Sequence, residues 1–169
     1  MEAGSTWIVE TAMGKMKIEL DPEERLVSMI WAERSERAKA GKLPDVICSL
    51  VKQLKDYEAG KREEIDVPLA DGVPQGTEFE RKVWKVTRAI PRGQTRSYKE
   101  VAKAVGKPTA SRAIGLAMAK NPLPFIMPCH RVVGSTGRLT GYAGGISVKQ
   151  RLLELEQGDL FTGTRAEKL

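Results

Sequence analysis

Residues 65–76, IDVPLADGVPQG, carry two prolines and two glycines, and neither a helix interior nor a central strand tolerates that density of breakers. The chain is therefore expected to fold as two bodies: a domain over 1–70, a linker over 71–76 and a second domain over 77–169. Charge divides at the same place. Residues 1–75 hold 11 Lys+Arg against 15 Asp+Glu, residues 76–150 hold 14 against 3, and the last 19 residues hold 3 against 4. A net excess of eleven positive charges in 75 residues exceeds what a solvated surface needs, and it favours a polyanionic partner whose phosphates those side chains neutralise.

The two halves also differ in periodicity. TWIVETAMGKMKIEL alternates about a Met-Gly turn and predicts a hairpin, RLVSMIWAE predicts a third strand, and PDVICSLVKQLKDYEAGK has a helical apolar stripe ending at Gly60. Cys48 falls in that helix and reads as structural rather than reactive. In the second half, Thr77 is an N-cap for a helix expected to bury Phe79, Val83, Trp84, Val86 and Ile90. Ser97 and Glu100 have capping-box spacing, with Val101, Ala104 and Val105 as a short apolar face. GKPT interrupts the chain and TASRAIGLAMAK resumes as a helix. Helix, short turn, helix is the helix-turn-helix pattern. The small residues of its second helix suit close approach to a nucleic acid and suit tight helix packing equally well.

No apolar run is long enough to span a membrane, and the N-terminus lacks the pattern of a secretory signal, so a cytoplasmic protein without membrane association is expected. Two cysteines, Cys48 and Cys129, make no disulfide framework, and one histidine without a Cys-x-x-Cys leaves no zinc pattern. Neither a metal nor a cofactor is expected. The lone histidine, His130, directly follows Cys129 in IMPCHRVV. In a regular strand the two side chains would point to opposite faces. A turn at Pro128 or a bridging water would bring them together, and a base within reach of a thiol makes the strongest common side-chain nucleophile. A core cysteine beside a satisfied histidine is the alternative.

NPLPFIMPCHRVVGSTGRLTGYAGG, residues 121–145, resembles the signature of the O6-alkylguanine-DNA alkyltransferases, also called methylated-DNA–protein-cysteine methyltransferases. Pro-Cys-His-Arg-Val is its most specific part. The resemblance runs from about residue 76 to 157. It implies an α+β fold, with a small sheet-plus-helix domain of ribonuclease-H-like arrangement followed by a mainly helical, winged-helix-like domain bearing the helix-turn-helix. The implied activity is direct-reversal DNA repair. An alkyl group on guanine O6, or on thymine O4, is transferred irreversibly to the protein's own cysteine, once per molecule.

The resemblance also implies roles. Cys129 would be the nucleophile, His130 its base through a water, and Glu156 the carboxylate holding the other imidazole nitrogen. Tyr98 would donate to guanine N3. Asn121, the single asparagine of the chain, would tie down the turn carrying Cys129. The carbonyls of Cys129 and Val132 would read the exocyclic amine, and the N–H of Ala143 would donate to O6. Ala143 stands where many relatives carry serine, so an altered rate or alkyl preference is expected. Tyr142, Gly144 and Gly145 would wall the base, with Pro124 and Ser135 completing its pocket. Arg112 would fill the gap left by a flipped base, while Thr109, Ala110, Ser111, Ala113 and Gly115 would approach the DNA. The expected partner is double-stranded DNA carrying O6-alkylguanine, held in the minor groove with little sequence preference by a monomer. Without the resemblance, Tyr98 reads as a packing residue, Arg112 as a phosphate contact and Glu156 as a solvated helix residue. Three rival functions stand beside repair: a binding-only alkyltransferase-like protein, a Cys-His-Glu hydrolase, and a thiol redox regulator.

Overall fold

The computed structural model describes residues 4–158, and the chain separates into two compact units at the Gln75–Gly76 junction. In the first unit, β1 (Ser5–Thr11), β2 (Gly14–Leu20) and β3 (Leu26–Trp31) form an antiparallel sheet in the order β1-β2-β3. Thr11 shapes the hairpin turn, where its hydroxyl accepts from the N–H of Met13 and donates to the carbonyl of Gly14. Alternation along β2 buries Met16, Ile18 and Leu20. The helix α1 (Asp45–Glu58) buries Ile47, Leu50, Leu54 and Tyr57.

Gln53, also buried on α1, clasps the backbone of Asp66 in both directions, at 2.7 and 2.8 Å. That contact holds the segment after the helix, and Leu69 bridges in parallel to Leu26. Residues 68–70 are thus an edge of the sheet rather than loose chain. Cys48 is exposed on α1, contrary to the structural role expected of it, because it lies off the stripe that packs inward. The sheet and helix fit an α+β description; the ribonuclease-H-like label rests on resemblance alone.

The second unit is mainly helical: α2 (Glu78–Arg88), α3 (Tyr98–Ala104), α4 (Ser111–Ala119) and α5 (Ile146–Gln157). Thr77 and Ser97 both close full capping boxes, with Glu80 and Glu100 respectively. The buried face of α2 comprises Val83, Trp84 and Thr87, while Phe79 and Val86 are only half-buried. Thr87 can sit inside because its hydroxyl donates to the Val83 carbonyl at 2.8 Å, so burial leaves no orphaned donor. On α3 the buried pair is Val101 and Ala102, and Ala104 faces solvent. The α3–α4 pair is the helix-turn-helix, and α2 packs against both helices.

Two short strands position everything that follows. β4 (Arg96–Ser97) and β5 (Val132–Val133) pair in parallel, with Arg96 opposite Val132 and Ser97 opposite Val133. This ladder sets the start of α3 beside the segment that carries Cys129.

Trp84 is the largest side chain in the core of this unit, and its indole N–H donates to the Ala117 carbonyl of α4 at 2.9 Å. Gly76 lies against the ring so closely that an added Cβ would meet two ring carbons at 2.6 Å. Gly76→Ala is therefore expected to cost about 1–3 kcal/mol, the usual range for overpacking a filled core. Thermal unfolding followed by circular dichroism would check this.

Candidate active site

The segment from Asn121 to Arg131 is buried almost throughout. Asn121 organises it, since its side-chain amide donates to the Met127 carbonyl at 2.6 Å and its carbonyl oxygen accepts from the Leu123 N–H at 2.9 Å. Within the bracketed turn Phe125 adopts φ of 74°, a conformation uncommon for a residue with a bulky side chain. After Pro128 the chain makes a single 3₁₀ turn, Cys129–Arg131. Neighbouring side chains on such a turn do not alternate across a plane. The geometric objection to a Cys-His site therefore disappears.

Cys129 is 7% exposed and lines a cavity of about 890 Å³. Burial pushes its thiol above the ordinary range, opposed by hydrogen bonding to Asn121 and by the positive charge of Lys149, with Tyr142 acting in the same direction. The resting sulfur is thus protonated and needs somewhere to send its proton. His130 is fully buried beside it, and burial together with the charges of Arg131 and Lys149 holds the imidazole well below its usual pKa.

The imidazole Nε2 lies 2.7 Å from Glu156 Oε1, and Arg131 grips both oxygens of the same carboxylate at 2.9 Å through Nε and a terminal nitrogen. Arg131 is in turn anchored by donation to the Ile90 carbonyl at 2.7 Å, just beyond α2. Burial pushes the Glu156 carboxyl up to about 8, opposed by the backbone of Gly93. The two-pronged guanidinium contact decides the matter, because it rewards only the carboxylate. With an ionised Glu156 and a neutral His130, Nε2 carries the hydrogen and donates it, leaving Nδ1 a bare acceptor. That Nδ1 is buried with no hydrogen-bond partner among the described residues.

The cavity wall includes Tyr98 at the head of α3, Ser111, Arg112, Gly115 and Leu116 of α4, and Ser135, Thr140, Tyr142 and Ala143 of the loop before α5. The expected residues Cys129, Tyr98, Arg112, Ser111, Gly115, Ser135, Tyr142 and Ala143 therefore meet at one cavity. His130, Glu156 and Asn121 support it from behind. Val132 and Pro124 are buried and Gly144 is half-buried, but none of the three is part of the wall. Thr109, Ala110 and Ala113 also lie off the wall: Thr109 is exposed in the turn, Ala110 caps α4, and Ala113 is half-buried on it. The Val132 carbonyl already accepts from Lys149 Nζ at 2.7 Å, and the Cys129 carbonyl accepts from the helix-capping N–H of Val132. Each retains one lone pair for a ligand.

Three participants escaped the sequence reading. Arg131 was seen only as part of a motif. Lys149 is almost wholly buried, with its ammonium pulled down to about 8 by burial. Thr140 donates to the Tyr98 hydroxyl at 2.7 Å. For Lys149 a signal existed: it precedes Glu156 by seven residues on α5, which puts both on one helical face.

A family model described as "6-O-methylguanine DNA methyltransferase, DNA binding domain" matches residues 78–158. A methylated-DNA–protein-cysteine methyltransferase of Methanosarcina acetivorans is 45% identical over 143 residues, covering 85% of this chain and 80% of that protein. The chain belongs to the methylated-DNA–protein-cysteine methyltransferase family. A homologue from Methanosarcina barkeri is 52% identical over 109 residues, covering 64% of this chain and 67% of its own. The crystal structure of Mycobacterium tuberculosis OGT in complex with DNA superposes with a TM-score of 0.75 at 40% identity, covering 91% of this chain and 96% of that one. This family member shares the mixed helix-and-sheet fold across both units. Among its described residues no helix is long and apolar enough to cross a membrane.

Two outcomes follow from the carboxylate cluster. Glu156→Gln would leave the guanidinium of Arg131 buried without its counter-charge and is expected to cost about 3–5 kcal/mol, measurable by denaturant unfolding. His130 is neutral when folded and takes a proton near pH 6.5 when unfolded, so the unfolded state binds more protons below that value. Stability should fall as pH drops from about 7 to about 5, with a shallower slope in His130→Gln, read from melting temperatures.

Proposed function

We propose that this chain repairs alkylated DNA by moving an alkyl group from guanine O6 to the sulfur of Cys129, without a cofactor. The observation that carries the reading is a buried thiol opening onto a cavity that the helix-turn-helix also lines, with a carboxylate-oriented imidazole behind it. In this reaction the thiol proton passes through a water to Nδ1 of His130, and Glu156 stabilises the charge that appears on the ring. The thiolate attacks the alkyl carbon, the new S–C bond forms as the C–O6 bond breaks, and the base leaves with its electron pair. Tyr98 donates to N3 and the N–H of Ala143 donates to O6, which spreads the departing charge. The thioether is not reversed, so each molecule reacts once.

The substrate base must leave the duplex to reach the sulfur, at a cost of a few kcal/mol. Arg112 would fill the vacated stack, a role supported by its exposure on α4 and its part in the cavity wall. Leu116, 62% exposed on the same helix, presents an apolar surface of the kind minor-groove proteins wedge against base steps. Thr109, Ala110, Ser111, Ala113 and Gly115 would contact backbone and groove, with little sequence preference, in a monomeric cytoplasmic protein. The mycobacterial relative crystallised with DNA supports a DNA partner here.

Incubation with duplex DNA bearing O6-methylguanine, followed by intact-protein mass measurement, tests the reaction. A gain of one methylene unit per molecule, absent in Cys129→Ser, is the expected result. Tight binding without a mass change would establish the binding-only alternative. Repeated product release from unmodified protein would establish a hydrolase, and a mass gain that a thiol reductant reverses would establish a redox regulator.

A further inference from the structure

The hydroxyl of Tyr98 has two donors aimed at it. Thr140 Oγ1 donates at 2.7 Å, and Lys149 Nζ approaches at 3.5 Å while making its shorter bond to Val132. A phenol oxygen carries one hydrogen and two lone pairs. Lysine can only donate, so one lone pair is committed to it. If Thr140 takes the other, the phenolic hydrogen has no partner left among the described residues and is free for a ligand in the cavity that Tyr98, Thr140 and Cys129 share. Were Thr140 absent, the hydroxyl could rotate about its C–O bond, and the direction of its hydrogen would no longer be set.

We infer that Thr140 is a positioning residue that locks Tyr98 as a hydrogen-bond donor toward the base in the cavity. The inference rests on the reading that Tyr98 serves guanine N3, and it adds what makes Tyr98 a donor there. Thr140 is exposed in the free protein, where water competes for its hydroxyl. A base seated in the cavity covers the Thr140–Tyr98 pair and removes that competition. The contribution therefore appears when substrate is bound, not as stability of the free chain.

The test compares single-turnover transfer by the full chain, Thr140→Val, Thr140→Ser and Tyr98→Phe. Two duplexes are used, one with O6-methylguanine and one with its 3-deaza analogue, in which a C–H replaces the accepting nitrogen. Thr140→Val should slow transfer from the normal base about tenfold, the scale of one neutral hydrogen bond. Thr140→Ser should restore the rate. On the 3-deaza base Thr140→Val and the unaltered chain should react alike, and in a Tyr98→Phe background the valine should add no further loss. An unchanged rate for Thr140→Val on the normal base, with Tyr98→Phe slow, overturns the role of Thr140 and leaves Tyr98 in place. Equal slowing on both bases overturns it too, since Thr140 would then act by packing. Equal loss by Tyr98→Phe on both bases removes the N3 contact itself, and the inference falls with it.

Discussion

One carboxylate holds the Cys-His turn behind the cavity together. Glu156 reaches back from the end of α5 and receives hydrogen bonds from His130 and from Nε and one terminal nitrogen of Arg131, whose other terminal nitrogen is pinned beyond α2. A buried pair of charges is seldom a source of net stability, because desolvation consumes most of the attraction. Its value here is in specification. The guanidinium keeps the carboxylate ionised, the carboxylate selects one imidazole tautomer, and the tautomer leaves Nδ1 a bare acceptor. Two adjacent residues of a single 3₁₀ turn, His130 and Arg131, are thus tied to the helix that follows them, and Arg131 also to the chain just beyond α2.

Burial places opposing demands on this centre. It raises the thiol, lowers the imidazole and lowers the ammonium of Lys149, so each group is driven toward its neutral form. A sulfur kept as a thiol is protected from casual chemistry. A thiol of this kind is a nucleophile only once a base takes its proton. Lys149 adds a positive charge that favours the thiolate at the moment it forms. The same lysine secures the Val132 carbonyl, so β5 is held from its helix-facing side as well as by β4.

Much of this was legible in the chain. Thr77 and Ser97 announced their helices through side chains acting within four residues, and such local chemistry reads directly from sequence. Pro-Cys-His-Arg-Val marked the centre, and the Thr-Ala-Ser-Arg helix marked the surface beside it. What stayed hidden depends on distant partners. The burial of Lys149 is decided by Val132, the fork of Arg131 by Glu156, and the contact of Thr140 by Tyr98. The faces of α2 and α3 were partly misjudged: Thr87, which satisfies its own hydroxyl, is buried where Phe79 and Val86 are half-buried, and Ala102 rather than Ala104 faces inward. Hydrophobicity alone ranks Val86 above Thr87 and cannot separate Ala102 from Ala104.

The parallel pairing of β4 with β5 has a consequence for how this chain can vary. The ladder closes a loop that begins at Tyr98 and ends at Arg131, so the Tyr98 phenol and the Cys129 sulfur are set by their distance from the clasp, not by the path between them. Extra residues in the exposed bend 106–109 would lengthen the loop at small entropic cost and leave the chemistry in register. One residue inserted between Ser97 and Tyr98 would carry the phenol off its mark. Length is free in one place and fixed in the other.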